Sequence, residues 1–261
     1  MNICISNRLI YFNIKQLFFA AVFIGFSQKS ISQETNQSES HKKLADSLTS
    51  IKGRVLIGSA GFAPISAFSF DDPLAIGFLS VARKRFGYEP DFALGLNGTP
   101  WMINNWFRFD FYSDKMSTLN VSVNPFLFFK KQKVNSGEEM IQAQRSLVFE
   151  VGSLHPLSDR WSLNVTYQYN KGFDQGCLSG HFLSVASSLD KLVAELVLIT
   201  IKSQLFYFDF DGDVDGFFTS ASLNIKHKKI PVACCMQATL PVWTNFPDNC
   251  FQWNAGLIYD Y

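Results

Sequence analysis

The sequence predicts an all-β chain that crosses a membrane as an antiparallel up-and-down β-barrel of about twelve strands. Three observations favour this fold class. The C-terminal segment has one aromatic-rich face, the N-terminus is typical of an exported protein, and the connections between predicted strands alternate in length. After the N-terminal region no segment has about 18 consecutive apolar residues, so a membrane-spanning chain would have to cross as strands rather than helices.

The C-terminal segment 251–261 predicts a strand with one apolar face and one polar face, because side chains alternate across a strand. The apolar parity contains Phe251, Trp253, Ala255, Leu257, Tyr259 and Tyr261. The other parity is polar apart from Ile258 and a glycine. This segment resembles the closing strand of an outer-membrane β-barrel. The resemblance implies that Trp253, Leu257, Tyr259 and Tyr261 form an assembly signal read by the barrel-assembly machinery.

Residues 1–32 are predicted to be a secretory signal peptide. Arg8 and Lys15 precede the apolar run 17–26, which is shorter than the roughly 20 residues of a spanning helix. Ser30 and Ser32 have the small-x-small spacing of a cleavage site, which places the cut before residue 33, and Ser27 offers a second site.

The mature chain is predicted to be nearly neutral. The signal peptide contains three of the 23 Lys and Arg residues and none of the 22 Asp and Glu residues, which leaves a formal net charge of −2. A near-neutral chain without a basic stripe gives no indication of a nucleic-acid partner. Residues 33–52 are polar and predict a periplasmic arm, with a small plug inside the barrel as the alternative. Residues 53–261 are predicted to form one barrel domain.

Alternating apolar and polar residues predict the strands of the barrel. The predicted strands are 53–61, 74–83, 86–97, 105–113, 117–129, 144–154, 160–170, 180–187, 193–209, 216–226, 229–240 and 250–261. The connections predicted to be tight are 83–86, 113–117, 154–160, 187–193 and 226–229. The connections predicted to be mostly longer are 62–73, 98–104, 130–143, 171–179, 209–216 and 241–249. Such an alternation is expected for short periplasmic turns and longer extracellular loops, and it places both chain ends in the periplasm.

Aromatic residues near the predicted strand ends indicate two interfacial girdles. Trp106, Trp243 and Trp253 are assigned to the extracellular girdle, and Trp161 and the C-terminal tyrosines to the periplasmic one. The same pattern is also compatible with ten or fourteen strands, because 62–70 could extend the first strand and the strand limits within 185–196 are ambiguous.

Taken over residues 53–261, the chain resembles the small outer-membrane β-barrels of Gram-negative bacteria that have no established function. The resemblance implies a location in the outer membrane, with membrane lipids, lipopolysaccharide and a larger outer-membrane complex as candidate partners. It carries over no catalytic residue and no cofactor.

Polar side chains on the predicted inward parity are the candidates for a lumen function. They can line an aqueous pore, or they can pair with one another and close the lumen, since charges inside a narrow barrel need partners. The candidates are Glu89, Asp91, Arg108, Asp110, Glu150, Gln168, Lys202, Gln237 and Asn254.

An acidic segment is the weak candidate for a metal site. It contains Asp209, Asp211, Asp213 and Asp215, followed by a glycine. The spacing matches the first positions of an EF-hand loop, but the twelfth position is Ser222, inside a predicted strand. A polar hairpin turn is the preferred interpretation. The alternative is a weak calcium site on the outer rim that bridges lipopolysaccharide phosphates.

The histidines do not predict a catalytic triad. Outer-membrane lipases and lipid A deacylases place a Ser and a His together on the lipid-facing side, but His181 and Ser184 have opposite parity. His155 is assigned to a tight turn without a nucleophile partner, and neither His227 nor His41 has one. The sequence therefore predicts a non-enzymatic barrel, either a narrow solute channel or a structural or accessory barrel. The alternative is a lipid hydrolase of the phospholipase or lipid A deacylase type.

Overall fold

A computed structural model describes residues 49–61, 70–133, 139–193, 196–211, 214–246 and 251–261, with the side chains of 132–139 and 191–195 excepted. The described chain forms a closed barrel of twelve antiparallel strands, which confirms the predicted fold class. The strands are β1 (Ser50–Gly58), β2 (Leu74–Arg83), β3 (Phe86–Gly95), β4 (Pro100–Ser113), β5 (Thr118–Lys133), β6 (Glu139–Ser158), β7 (Trp161–Gly172), β8 (Gly180–Val193), β9 (Val197–Phe210), β10 (Val214–His227), β11 (Val232–Thr244) and β12 (Gln252–Asp260). The predicted signal peptide 1–32 lies outside the described residues.

Each strand pairs with its neighbours in the chain, and β1 pairs with β12 to close the barrel. The closing register aligns Arg54 with Asp260 and Gly58 with Gly256. Two backbone hydrogen bonds between Gly53 and Tyr261, of 3.2 and 3.0 Å, continue this seam. We call the end of the barrel where β1 begins and β12 ends the terminal end, and the opposite one the loop end.

Several strands extend beyond their predicted limits. β1 begins at Ser50, inside the predicted arm 33–52, whose residues up to 48 lie outside the described range. β5 runs to Lys133 and β6 starts at Glu139, so the basic run 130–133 ends a strand and is not a long loop. Polar residues at the end of a strand look like loop residues in the sequence, although their backbone continues the ladder.

The difference in connection length between the two ends is smaller than predicted. At the loop end, 59–73, 173–179 and 245–251 separate consecutive strands, but only 96–99, 134–138 and 211–213 separate the others. The shortest terminal-end connections are 84–85 and 159–160. The alternation therefore holds for half of the loops, because strands occupy part of the other predicted loops.

The outward face is apolar. In β12 the outward side chains Trp253, Leu257 and Tyr259 are about half exposed, and the parity of the segment matches the prediction. Trp106 is an exception to the predicted girdle, because it pairs with Glu89 and shares the inward parity of Arg108. Within the described residues, no helix is long and apolar enough to cross a membrane.

Apolar side chains fill much of the loop-end half of the interior. The aromatic cluster consists of Phe206, Phe208, Phe210 and Phe218 on β9 and β10. In this cluster the Phe206 and Phe218 rings stack with centroids 5.1 Å apart. The mixed apolar cluster consists of Leu56, Leu74, Ile76, Ala93, Trp101 and Cys235, with Phe78, Met102, Phe128 and Ile258 packed against it. Ile258, the apolar exception on the polar parity of β12, therefore has an apolar environment inside the barrel.

Candidate functional site

A cavity of about 710 Å³ lies in the terminal-end half of the interior, along β12, β1, β2, β3 and β4. Its charged lining side chains are Lys52, Arg54, Glu89, Asp91, Arg108 and Asp260, and Phe78, Ser80 and Trp106 complete the inward lining. We call it the charged cavity. Its volume is in the range of cavities that hold small organic ligands.

Two rows of the sheet bring these side chains together. In the first row Lys52 pairs with Ser80, and Glu89 pairs with Trp106. In the second row Arg54 pairs with Phe78, Phe78 with Asp91, and Asp91 with Asn104. The strands alternate in charge around the cavity, with acids on β12 and β3 and cations on β1 and β4. Neutral residues of β2 separate the β1 cations from the β3 acids.

Arg108 is the centre of an ion-pair network on the terminal-end side of these rows. Its Nη2 atom lies 3.5 Å from Glu89 Oε2 and 3.6 Å from Glu150 Oε1. Glu150 also accepts hydrogen bonds from Gln168 Nε2 at 2.7 Å and from Ser122 Oγ at 3.3 Å. The buried Nε atom of Arg108 has no acceptor among the described residues. Four of the predicted lumen residues thus form one network across β3, β4, β6 and β7.

Asp91 belongs to a separate ladder, a chain of hydrogen bonds that the side-chain amides of Asn104 and Asn124 continue. Asn104 Nδ2 donates to Asp91 Oδ1 at 2.6 Å, and Asn124 Nδ2 donates to Asn104 Oδ1 at 2.8 Å. Asn124 Oδ1 accepts from the backbone N–H of Asn105 at 2.7 Å. Asn124 is almost fully buried, so the ladder satisfies polar groups that water does not reach.

A second ion-pair group lies at the barrel seam. Arg54 Nε contacts Asp260 Oδ1 at 2.8 Å, and Lys226 Nζ contacts the other carboxylate oxygen. None of these three residues is among the predicted lumen residues. The alternating pattern of β12 is enough to predict that Asp260 faces inward. Its pairing with Arg54 could be predicted only if β1 and β12 were known to be neighbours.

The remaining predicted lumen residues lie elsewhere on the inner wall. Lys202 pairs in register with Ser222, Ser222 with Gln237, and Gln237 with Asn254, so these form one row across β9 to β12. Asn254 donates to the backbone carbonyl of Gly61 at 3.0 Å. Asp110 is aligned with Asn120 near the terminal end and does not line the charged cavity. The prediction that these residues act as functional sites remains untested.

The acidic segment does not form a cluster in the described residues. Asp209 lies at the end of β9, and Asp215 accepts a hydrogen bond from Tyr207 Oη at 3.4 Å. Asp211 has a positive φ of 53° and accepts from the backbone N–H of Ser179 in the neighbouring connection. Asp213 lies outside the described residues. In the part of the chain that the structure describes, no group of three His, Cys, Asp or Glu side chains could hold a metal ion.

At the loop end, Asp174 fixes the connection between β7 and β8 to β6. Its carboxylate accepts a hydrogen bond of 2.7 Å from Arg145 Nη2 and one of 2.7 Å from the Arg145 backbone N–H. The side-chain hydrogen bond from Arg145, followed by the backbone one, lowers the pKa of Asp174 to about 2.

One Ser–His contact was not foreseen. His155 lies in β6 rather than in a tight turn, and its Nε2 atom is 3.2 Å from Ser153 Oγ on the outward face. The prediction that His155 lies in a tight turn is therefore wrong, because β6 extends to Ser158. In the described residues no hydrogen bond orients its other ring nitrogen. His181 instead contacts Tyr167 Oη at 2.8 Å, and Ser184 is buried on the opposite face.

The assembly-signal residues occupy the outward face of the closing strand. Trp253, Leu257, Tyr259 and Tyr261 are all exposed, and the rings of Tyr259 and Tyr261 stack 6.4 Å apart. The Tyr261 ring lies over Gly53, where a Cβ atom would be 2.0 Å from its Cζ atom. The last residue of the chain thus covers the start of β1.

Comparison with known proteins identifies the fold. No protein-family model matches the sequence, and no curated protein matches it. The structure is similar to the KdgM porin, with a TM-score of 0.50 and 8% identity over 82% of this chain and 99% of that chain. It is also similar to the COG4313 outer membrane channel from Pseudomonas putida F1, with a TM-score of 0.50 and 11% identity over 89% of this chain and 100% of that chain. The chain has the fold of outer-membrane β-barrels.

Proposed function

We propose that this protein is an integral outer-membrane barrel that acts as a narrow, non-enzymatic channel for small solutes. The observation that carries the proposal is the charged cavity inside a closed barrel with an apolar outward face. An apolar band facing outward around a polar interior is the arrangement that a lipid bilayer requires of a barrel. The two similar structures named above are a porin and an outer membrane channel, which supports the same function class.

In the proposed orientation the terminal end faces the periplasm and the loop end faces the exterior. Solutes reach the charged cavity from the periplasmic side, and the aromatic and mixed apolar clusters narrow the path toward the exterior. Hydrophobic constrictions of this kind restrict the flow of ions and water in channels. We therefore expect a small conductance rather than the large one of an open porin.

Conductance in planar bilayers tests the channel. The purified chain should give discrete current steps above baseline, and Lys202→Glu, which reverses a lumen charge without an ion-pair partner among the described residues, should shift its anion-to-cation selectivity toward cations. A matched control is Lys228→Glu in the turn between β10 and β11. If the inserted barrel conducts no current, the channel fails and the structural or accessory barrel becomes the better assignment.

Lipid hydrolysis is the second candidate, and in the described part of the chain only the Ser153–His155 contact favours it. A hydrolase of this kind needs at least a Ser hydroxyl within hydrogen-bond distance of a His that acts as its base. A third group normally orients that base. Turnover of phospholipid and lipid A by the purified chain tests this candidate. Activity that disappears in Ser153→Ala would establish it, whereas equal rates for the variant and the parent would exclude this pair.

Export and assembly are proposed to depend on the two chain ends. We infer that a signal peptide directs the chain to the periplasm and that the exposed aromatic face of β12 is the assembly signal. Deleting Tyr261 should reduce insertion into the outer membrane, measured as the fraction of heat-modifiable protein in isolated membranes. Normal insertion of the deleted chain would contradict the role of that residue. Contact of the outward and loop-end side chains with membrane lipids and lipopolysaccharide is part of the same proposal.

A further inference from the structure

Two charged side chains of the charged cavity, one cation and one acid, take no part in its ion pairs. Arg54 is paired with Asp260, and Arg108 is paired with Glu89. The two remaining charges of the lining are Lys52 and Asp91. Among the described residues Lys52 has no hydrogen bond or ion pair, and the side chain of Asp91 is hydrogen-bonded to the uncharged Asn104 and has no ion pair.

These two charges lie on next-nearest strands of the cavity wall. Lys52 is on β1 and Asp91 is on β3, with β2 between them. Two strand spacings, about 9.5 Å, separate β1 from β3, and the two residues also lie one inward position apart along the strands, because Asp91 is in the row of Arg54 and Phe78. The side chain of β2 beside Lys52 is the short Ser80, so no large side chain of β2 fills the lumen next to Lys52.

We propose that the charged cavity binds small zwitterionic solutes, a class that includes amino acids and short peptides. The Lys52 ammonium receives the solute carboxylate, and the free lone pairs of Asp91 accept hydrogen bonds from the solute ammonium. A solute with one charge of each sign satisfies both groups at once, which a simple anion or cation cannot do. Trp106 lies in the same lining and offers an aromatic face to the ammonium or to the apolar part of the solute.

This inference deepens the proposed function by naming the solute class of the channel. It explains why the cavity has no excess of either charge, with three cations and three acids in its lining. A channel selective for simple anions or cations would be expected to present a ring of one sign. The alternating walls of β12, β1, β3 and β4 are suited instead to solutes that are themselves dipolar.

Three small probes test the proposal on the full chain in detergent micelles. Glycylglycine is zwitterionic, N-acetylglycine is anionic and glycinamide is cationic. Tryptophan fluorescence should report saturable binding of glycylglycine, with the other two probes at least about tenfold weaker, since each lacks one charged contact. Trp106→Phe should remove the fluorescence change if the signal arises in the cavity. Equal binding of all three probes, or no binding of glycylglycine, would overturn the proposal.

Matched variants locate the site. Lys52→Met and Asp91→Asn should each weaken glycylglycine binding about tenfold. Lys84→Met in the neighbouring turn and Asp110→Asn outside the cavity should leave binding unchanged. Lys52 is exposed, so its replacement is not expected to prevent folding, and heat-modifiable migration verifies this for each variant. Unchanged binding in Lys52→Met would contradict the assigned site.

The same proteins in planar bilayers separate this inference from the proposed function. Glycylglycine added on the terminal-end side should reduce the ion current of the parent protein more than that of Lys52→Met. Binding in micelles without any conductance would retain the site and refute the channel. Conductance without glycylglycine binding or block would retain the channel and refute the zwitterion site.

Discussion

The two halves of the barrel interior are built from the same strands but have opposite chemistry. On β9, Phe206 and Phe208 face inward in the loop-end half, whereas Lys202 faces inward nearer the terminal end. On β3, Ala93 belongs to the mixed apolar cluster, whereas Asp91 and Glu89 line the charged cavity. All of these side chains share the inward parity of their strand. The inward-facing side chains of one strand therefore change from apolar to charged between the loop end and the terminal end.

The difference in chemistry between the two halves indicates different functions. Apolar side chains packed inside a barrel stabilise the fold by removing apolar surface from water, as they do in the core of a soluble protein. The charged side chains of the other half gain their partners from neighbouring strands and remain accessible to water. We infer that the loop-end half limits passage and the terminal-end half selects the solute.

Removing a ring from the aromatic cluster should give the largest effect. Phe208 is 0% exposed, so Phe208→Ala leaves a cavity and should lower the free energy of unfolding by about 3–5 kcal/mol. The same cavity should raise the single-channel conductance, because the ring no longer fills the lumen. Denaturant unfolding in detergent and planar-bilayer recording measure the two effects.

Phe217→Ala is the matched control for this prediction. Phe217 is adjacent to Phe218 on β10 but faces outward and is 37% exposed, so its loss should leave the conductance unchanged. An unchanged conductance in Phe208→Ala would show that the aromatic cluster does not limit passage, and the two halves would then not differ in the way proposed.

Much of the fold could be predicted because strand parity depends on local sequence. The alternation in 251–261 and the number of strands were correct, and β2 matches its predicted limits. The strand ends were less accurate, since Lys130 and Lys131 are polar but belong to β5. A strand can continue beyond the membrane with polar residues. The sequence pattern therefore cannot distinguish such a strand end from a loop.

The site was less predictable, because it depends on neighbours that are distant in the chain. The inward parity of Glu89, Asp91 and Arg108 follows from the sequence, and so does that of Trp106, which aromatic composition alone had assigned to a girdle. Lys52 fell within the predicted arm. The contact between Arg54 and Asp260 joins residues at opposite ends of the domain, and only closure of the barrel brings them together.

Breaking the ion-pair network should affect the terminal-end half alone. Among the described residues, Arg108→Met leaves Glu150 with Ser122 and Gln168 as its donors. Because Arg108 is partly exposed, we expect a loss of about 1–3 kcal/mol, between the values for exposed and for buried ion pairs. Chemical denaturation measures it, with Arg85→Met in the adjacent turn as the control.

A double variant distinguishes loss of pairing from loss of packing. If the unpaired Glu150 carboxylate causes the destabilisation, then Arg108→Met with Glu150→Gln should recover part of it. Additive losses in the double variant would mean that the Arg108 side chain contributes by packing and not by its charge.

The seam at the terminal end should respond to the size of residue 53. Gly53→Val places a side chain where the Tyr261 ring lies, so the ring has to move. We expect a loss of about 1 kcal/mol, at the low end of the effects of overpacking, because the Tyr261 ring is largely exposed and can move away from the added side chain. Gly77→Val on β2 is the control, since a Cβ there meets nothing within 4 Å. Equal unfolding midpoints for the two variants would show that Tyr261 does not seal the seam.

The smallest effect is expected at the Asp174–Arg145 contact, which lies outside both halves of the interior. The pKa of Asp174 is lowered from 3.8 to about 2, so the ion pair stabilises the loop above pH 3.8 and is lost as the pH falls through about 2. Both side chains are accessible to solvent, so salt should weaken the contact. Protease cleavage of the connection 173–179 should become faster below pH 3.8 in the parent, with an acid-stable protease, and should be pH-independent over this range in Asp174→Asn. Cleavage that responds to pH equally in both proteins would mean that another group holds this loop.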